Sequence, residues 1–524
     1  MPAFPQKGDA PLLAGLDFGT GRIRAIAVDL RGRMLAEAAL PTPTRFPQAG
    51  WAEHDPQALW QTVCSVLKSL TQSLGASPPI AGLAVASVGE AGVLIGEDGS
   101  ELGPVIAWYC CRTVAEGETM RAKLGDDYVF AVSGVTANHT FGLGKLLWWR
   151  RHHPEIFAKA RYWLSMADWV TFRLTGEART DFTLASRTNA LDIRQRCWSE
   201  ELLERIGVDP RLFAPLVANG SPVGRVSARA ARETGLPSSA VISAGGHDHI
   251  ISTAAADIDE PGVLLNSMGT AEAQLLIHDA PVFDDRFRIG GHQQGVIEIA
   301  RPRIYLCCGL STSGGAVEWF RRQAGDAAYD TLIAAAREVA AGSNGVCFLP
   351  QLRGGDQPYP NPNARAGFIG IGGDSSQGVL FRSVLEGVAM SARLAAEGMT
   401  RMPGVAPVRR IRVIGGGTRN DLWMRIKASI YGRSIEVTPL NEGTCLSAAM
   451  LAGLGAGIFA TVAQARESMA EALGAVRIVE PNDDWPETYD RLYRNVYSQL
   501  APTLTPIHDA LACFRNDKDI NPQP

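Results

Sequence analysis

No pair of cysteines in the chain has C-x-x-C spacing. The nine cysteines are scattered, with Cys110-Cys111 and Cys307-Cys308 adjacent, and nine is an odd number. This argues against a disulfide framework and a zinc ribbon, and free thiols in a reducing, cytoplasmic compartment are expected. No block of Lys or Arg stands out and the formal net charge is −4. Nucleic acid and anionic membrane are therefore not expected partners. The N-terminus, MPAFPQKGDAPLLAG, lacks the basic region and long apolar run of a secretory signal. One long stretch, residues 446–465, carries no charge, but Gly453, Gly455 and Gly457 interrupt it. It is expected to be a buried helix ending in a glycine-rich turn, not a membrane span. No G-x-x-x-x-G-K-S/T phosphate loop is present.

At 524 residues, 46% hydrophobic and 20% charged, the chain is an ordinary soluble globular sequence too long for one core, and two large domains are expected. Residues 12–40 read as strand, tight turn, strand. DPQALWQTVCSVLKSL has helical spacing and an Asp-Pro start. IAGLAVASV and AVISAGG read as buried strands, LGKLLWWRRHHPEIFAKA and ADWVTFRLTG as helices, and HDHIISTAAA as the start of another. From Gly262, GVLLNSMGTAEAQLLI repeats the opening pattern of strand, Gly-Thr turn and strand, which suggests an internal duplication. RRIRVIGGGTRNDLWMRIKASIYG reads as strand, triple glycine, helix. Alternating strands and helices predict an α/β fold with helices on both sheet faces. The boundary is placed at DIDEPG, giving domains 12–258 and 262–510, with a polar tail beyond about 510 that is expected to fray.

Four glycine-flanked pieces carry the chemistry. In DFGTGRIR, Asp17 ends a strand before Gly19, Thr20 and Gly21. Glycines let backbone N–H groups approach phosphate oxygens and a Thr hydroxyl adds a donor. Asp17 offers a ligand for Mg²⁺, usually through water, and Arg24 a counter-charge for phosphate. SMGTAE repeats the device with Gly269 and Thr270. GGGTRN, residues 415–420, suits an anion at a helix N-terminus and a flat ring on bare backbone. GGHDH, residues 245–249, is open to three readings: a metal site, a working carboxylate on a tight turn, or a satisfied helix cap. No HxxxH or HxxE partner lies near it, so the ligand set for a transition metal is thin.

Longer stretches carry a resemblance. GWAEHDPQALW (50–60), GPVIAWYCCRT (103–113), GKLLWW (144–149), LTGEARTDFTLASRT (174–188) and FLPQLRGGDQPYPNPNARAGFIGI (348–371) follow in order. Together they resemble the FGGY carbohydrate kinases of the actin-like ATPase superfamily over about residues 12–500. The resemblance implies two ribonuclease-H-like domains around a central cleft, ATP with Mg²⁺, and phosphorylation of a small sugar or polyol such as a pentulose, glycerol or a tetritol. A homodimer is compatible with it. Asp17, Thr20 and Arg24 then fall on the first phosphate and Mg²⁺ hairpin, and Thr270 on the second. Gly314 falls under the nucleotide phosphates, Glu318 at the edge of that site, and Gly416 and Asn420 beside the adenosine. Asp248 falls on the catalytic base, with Gly245-Gly246 giving the substrate hydroxyl room to approach. Glu90, Trp108 and Arg112 are the candidate sugar contacts, each with a structural alternative.

The sequence also departs from the family pattern. Gly21 and Arg22 stand where Thr or Ser is frequent, and Cys110 where pentulose kinases carry Asp. Val88-Gly89-Glu90-Ala91 replaces a Q-M-H-G loop, Asn138-His139-Thr140 an aromatic, Ala271 a Ser, and LSAA an LGAA. The phosphate machinery is better kept than the sugar site. A catalytically weak homologue that binds sugar or nucleotide as a regulator is the alternative.

Overall fold

A computed structural model describes residues 10–75, 79–438, 440 and 442–514. Residues 1–9 of the N-terminal segment read above, and the end of the tail expected to fray, lie outside these. Two sheets organise the chain. The first is built from β1 (Leu12–Phe18), β2 (Arg22–Val28), β3 (Met34–Pro41), β4 (Ile80–Ser87) and β5 (Val241–His247). Their order is β3-β2-β1-β4-β5, and Pro222–Arg225 adds an edge beyond β5. The second is built from β6 (Val263–Met268), β7 (Glu272–His278), β8 (Gln293–Glu298), β9 (Pro302–Leu310), β10 (Arg410–Ile414) and β11 (Ile435–Val437). Here the order is β8-β9-β7-β6-β10-β11, with Arg477–Val479 at the far edge.

The two sheets share one topology. In the first, β1 pairs antiparallel with β2 and parallel with β4, and β5 runs parallel beyond β4. In the second, β6 pairs antiparallel with β7 and parallel with β10, and β11 runs parallel beyond β10. The repeat read from two Gly-Thr hairpins thus extends to whole sheets. The near-continuous apolar runs of β1 and β4 are buried on both faces, as parallel strands covered by helices require. Helix α1 (Pro56–Ser73) starts as its Asp-Pro signal predicts: Asp55 accepts hydrogen bonds from the Gln57 and Ala58 N–H groups, and Pro56 opens the first turn.

Three local expectations change. The helix read across 143–160 breaks at His153, because Pro154 removes a donor and restrains the residue before it. The helix read from His247 is a single turn, α3 (Asp248–Ile251), preceded in the chain by the short α2 (Phe182–Ala185). The Ser252 and Thr253 hydroxyls bond the carbonyls of His249 and Ile250 and draw the backbone out of the ladder. The triple glycine does not open its helix directly. Residues 416–419 form a 3-10 turn, and α5 (Asp421–Tyr431) begins at Asn420, whose Oδ1 caps the Trp423 N–H. Helix α4 (Gly314–Gln323) follows β9.

The uncharged stretch forms α6 (Gly443–Gly455) and then turns. No helix among the described residues is long and apolar enough to cross a membrane. Although it lies late in the chain, α6 packs on β1, β4 and β5 of the first sheet, so packing crosses the division drawn at 257–262. Small residues allow this. A Cβ on Gly15 would stand 1.9 Å from the Cys445 carbonyl oxygen, and one on Gly82 2.8 Å from that of Ala452. The Ser447 hydroxyl, in the LSAA departure, accepts from the Ala255 N–H at 3.1 Å. Gly15→Ala should therefore lower unfolding free energy by about 1–3 kcal/mol, the usual scale of overpacking. Chemical denaturation checks this, and an unchanged midpoint would contradict the contact.

Candidate active site

Three neighbouring strands deliver three acids to one sheet end. Asp17 lies in register with Ala86, and His247 with Ser87. Asp17, Glu90 after β4 and Asp248 after β5 therefore gather outside the carboxyl ends of β1, β4 and β5, where open α/β sheets bind ligands. Glu90 reaches its place through a left-handed backbone, φ 62°.

A cavity of about 230 Å³ opens there. The first half of the chain supplies Thr20, Glu90, Trp108, Arg187, His247 and Asp248, and the second half supplies Ala273, Gln293 and Cys307. Asp248 is only 17% exposed, enough for a hydroxyl to reach it. Burial opposes its ionisation, but His249 and then His247 outweigh burial and hold the carboxyl well below the usual range. His247 Nδ1 lies 2.8 Å from Oδ1, close enough for its charge to add to that of His249. The His249 N–H donates to the same oxygen at 2.6 Å. Among the described residues no three His, Cys, Asp or Glu side chains converge as a metal centre would need.

The glycines of GGHDH do not face the cavity, which corrects the sequence reading. A Cβ on Gly245 would meet the Val85 carbonyl at 1.8 Å, and one on Gly246 (φ 150°) Thr183 Oγ1 at 2.6 Å. Their bareness lets β5 sit tight on β4 and on a polar brace. In that brace Asp181 caps α2, Asn219 donates to Asp181 and to the Gly245 carbonyl, and Thr183 Oγ1 accepts from the His247 N–H at 2.8 Å. Asn219 also exchanges backbone and side-chain bonds with Glu298 of the second sheet. The brace fixes the turn that carries Asp248.

Asp17 fits a divalent cation. Its Oδ1 is buried and has no hydrogen-bond partner. Burial, then the Asp248 charge, push its carboxyl up to about 8, against the pull of Arg24. A hard cation shared with phosphate would remove that penalty. Arg24 remains within Coulombic reach, but its guanidinium is paired with Glu442 and, at 3.3 Å, with Glu37. Gly19 closes the hairpin turn through its N–H to the Arg22 carbonyl. The Thr20 hydroxyl accepts from the Trp108 indole N–H at 2.9 Å, which leaves its own proton to donate.

A second cavity, of about 590 Å³, is lined by Gly269, Thr270, Gly314, Tyr329, Gly416 and Asn420, among others. Gly314 and Gly315 donate their N–H groups to the Gly269 and Thr270 carbonyls, so the second Gly-Thr turn is tied to the start of α4. A Cβ on Gly314 would stand 2.7 Å from the Gly269 oxygen, and Gly415 holds φ 98° against Met268. Glu272, Lys427 and Asn266 form a buried polar knot beneath this turn, and Ser313 joins it. Glu318 is not brought to the cavity. Arg321, Arg322 and the Tyr329 hydroxyl occupy it, so it acts by placing Tyr329.

Arg112 is likewise outside the first cavity. It donates to Glu53 at 2.8 Å and to Cys110 Sγ, and it lies 4.1 Å over Trp51. Cys110 also accepts from the Ala52 N–H, so the residue that departs from the pentulose pattern is a packing element. Nothing in the sequence singles out Arg187, Gln293 or Asn219. The one available signal for Arg187 is its place, between Ser186 and Thr188, in the LTGEARTDFTLASRT stretch that carries the resemblance.

Since the raised Asp17 pKa exceeds its unfolded value of 3.8, its contribution favours folding at low pH and is lost as pH rises to about 8. In chelator, Asp17→Asn should thus gain thermal stability relative to the wild type across that window. Parallel pH profiles would contradict an uncompensated charge. Trp108→Phe, which keeps a ring but removes the donor to Thr20, should lower kcat several-fold, about the worth of one hydrogen bond. Unchanged steady-state turnover would show the bond to be incidental.

Comparisons with known proteins agree with this geometry. The FGGY family of carbohydrate kinases matches through its N-terminal domain at residues 12–254 and its C-terminal domain at 264–456. Xylulose kinase of Bacillus subtilis is 27% identical over 96% of this chain and 99% of its own. L-fuculokinase of Salmonella typhi is 30% identical over 86% and 94%. The crystal structure of xylulose kinase from Rhodospirillum rubrum superposes with a TM-score of 0.85 at 29% identity, over 95% of this chain and 100% of that one. With two sheets of one topology, acids gathered at one sheet end and glycine turns around a second cavity, the chain belongs to the FGGY family of carbohydrate kinases.

Proposed function

We propose that the chain transfers the terminal phosphoryl group of ATP to a hydroxyl of a small open-chain sugar or polyol, with Asp248 as general base. The observation that carries this is an ionised, largely buried Asp248 in a cavity of about 230 Å³ built from both halves of the chain. At roughly 30 Å³ per water, that space suits a substrate of a few carbons, not an oligosaccharide. The named relatives act on xylulose and L-fuculose, and a ketose or alditol of that size is the class proposed here.

Phosphoryl transfer needs in-line placement, charge neutralisation and a carboxylate that orients the hydroxyl and takes its proton. Asp248 supplies the carboxylate, and its low proton affinity keeps it ionised until the hydroxyl proton is shed. Thr20 and Thr270 present hydroxyl donors from facing hairpins. The Gly416–Asn420 turn and Tyr329 line the cavity assigned to the adenosine, and the bare Gly314 the place assigned to its phosphates. Asp17 is the residue that would hold Mg²⁺, which when bound neutralises charge on the transferring phosphate. The retained Asp17, Thr20, Thr270 and Asp248 leave no observation that favours a regulator without turnover.

Asp248→Asn should lower turnover by ~10²–10⁴, the scale of an acid–base group, while nucleotide affinity by calorimetry stays unchanged. An ADP-release assay over glycerol, tetritols, pentitols, pentuloses and hexuloses reads the first quantity. Near-normal turnover of the variant would remove Asp248 as the base.

A further inference from the structure

Resting on that reading, we propose that Arg187 is a positioning residue that makes Glu90 a selective acceptor for the neutral, hydroxyl-bearing end of the substrate, and that Gln293 of the second sheet steadies it from across the cleft. Arg187 follows α2 and is 8% exposed. Its Nε donates to Glu90 Oε1 at 2.7 Å, and its Nη2 ends on the same oxygen. No described residue donates to Glu90 Oε2, and the residue lines the cavity, so one carboxylate oxygen is anchored while the other is left for a ligand. The guanidinium lies 4.7 Å over the Phe141 ring, which fixes its plane. Its Nη1 donates to Gln293 Oε1 of the second sheet at 2.8 Å. Gly89 admits the arrangement, since a Cβ there would meet Arg187 Cγ at 3.0 Å and His247 at 2.7 Å. One wall of the cavity is therefore a cross-lobe unit, Glu90–Arg187–Gln293.

The chemistry of that unit sets the ligand class. An ionised carboxylate only accepts hydrogen bonds, so Glu90 Oε2 calls for substrate hydroxyls. The Arg187 charge is already matched by Glu90, so Arg187 itself has no unmatched charge to offer a substrate carboxylate. An aldonate placed with its acid at this wall would set two carboxylates against each other, whereas the corresponding alditol or ketose would donate. Arg187 does not face the cavity as a binding charge. It acts through Glu90, and Gln293 makes the aim of Glu90 depend on the second lobe being in place.

Steady-state kinetics on the full chain test this, using the best alditol or ketose and the matching aldonate, with Glu90→Gln, Arg187→Met, Gln293→Met and the double variant of the first two. Each of the first two should raise the sugar KM roughly 10- to 100-fold, the range of a hydrogen bond to a charged group, with the ATP KM unchanged. The double variant should be no worse than the weaker single variant, and Gln293→Met should shift the sugar KM in the same direction. Losses that multiply in the double variant, or an ATP KM that rises equally, would show Arg187 to be a general scaffold residue. Equal wild-type turnover of aldonate and alditol would overturn the ligand class. Should Arg187→Met fail to fold, an unchanged sugar KM in Gln293→Met overturns the cross-lobe arm. A wild type that phosphorylates no sugar or polyol overturns the kinase reading, and this inference with it.

Discussion

Two carboxylates held at one sheet end are the constraint on which the site depends. Asp17 and Asp248 stand at the ends of β1 and β5, separated by β4 alone. Each raises the cost of the other's ionisation, and the protein resolves this unequally. Two histidines draw Asp248 down, whereas Asp17 is left with a bare buried oxygen and a raised pKa. One acid is thereby held ionised, able to accept a hydroxyl's hydrogen bond and orient it, and the other is suited to bind a hard cation. Divergent environments for paired acids are how a fold assigns distinct roles to the same side chain.

Keeping that pair in place takes much of the remaining structure. Helix α6 comes from the far end of the chain to back β1 and β4, made possible by Gly15 and Gly82. The Asp181–Asn219 brace fixes the Asp248 turn from below and reaches Glu298 of the second sheet. The Glu272–Lys427 knot does the same for the second Gly-Thr turn. Breaking a buried pair of that kind typically costs about 3–5 kcal/mol, so the second Gly-Thr turn rests on a strongly held support. The cleft is thus braced on each side by buried polar groups, while the substrates meet exposed turns.

What the sequence made legible follows from range. Asp17, Thr20, Thr270, Gly416, Asn420 and Asp248 lie in short strand–turn motifs whose geometry is local; the structure sets Thr20 and Asp248 on one cavity, Thr270, Gly416 and Asn420 on another, and Asp17 at the sheet end beside the first. Arg24, Arg112 and Glu318 were read as ligand contacts because a charge near a motif looks available. The partners of the first two, Glu442 and Glu53, become visible only in the fold, whereas Arg321 is an i,i+3 neighbour of Glu318 that helical spacing already offers. Arg187 and Gln293 are 106 residues apart and meet across the cleft, so no spacing rule could join them. The GGHDH glycines taught the opposite lesson. They were read as space for substrate, but the space is filled by Val85 and Thr183.

The most direct test of the central claim is a crystal structure with ADP and a sugar or polyol substrate bound. The geometry predicts one substrate hydroxyl within about 3.2 Å of an Asp248 oxygen, the reach of a general base. It also predicts the phosphates between the Thr20 and Thr270 turns and a cation beside Asp17. A substrate seated in the cavity with every hydroxyl turned away from Asp248, or a nucleotide bound elsewhere than against Gly269, Gly314 and Gly416, would contradict it.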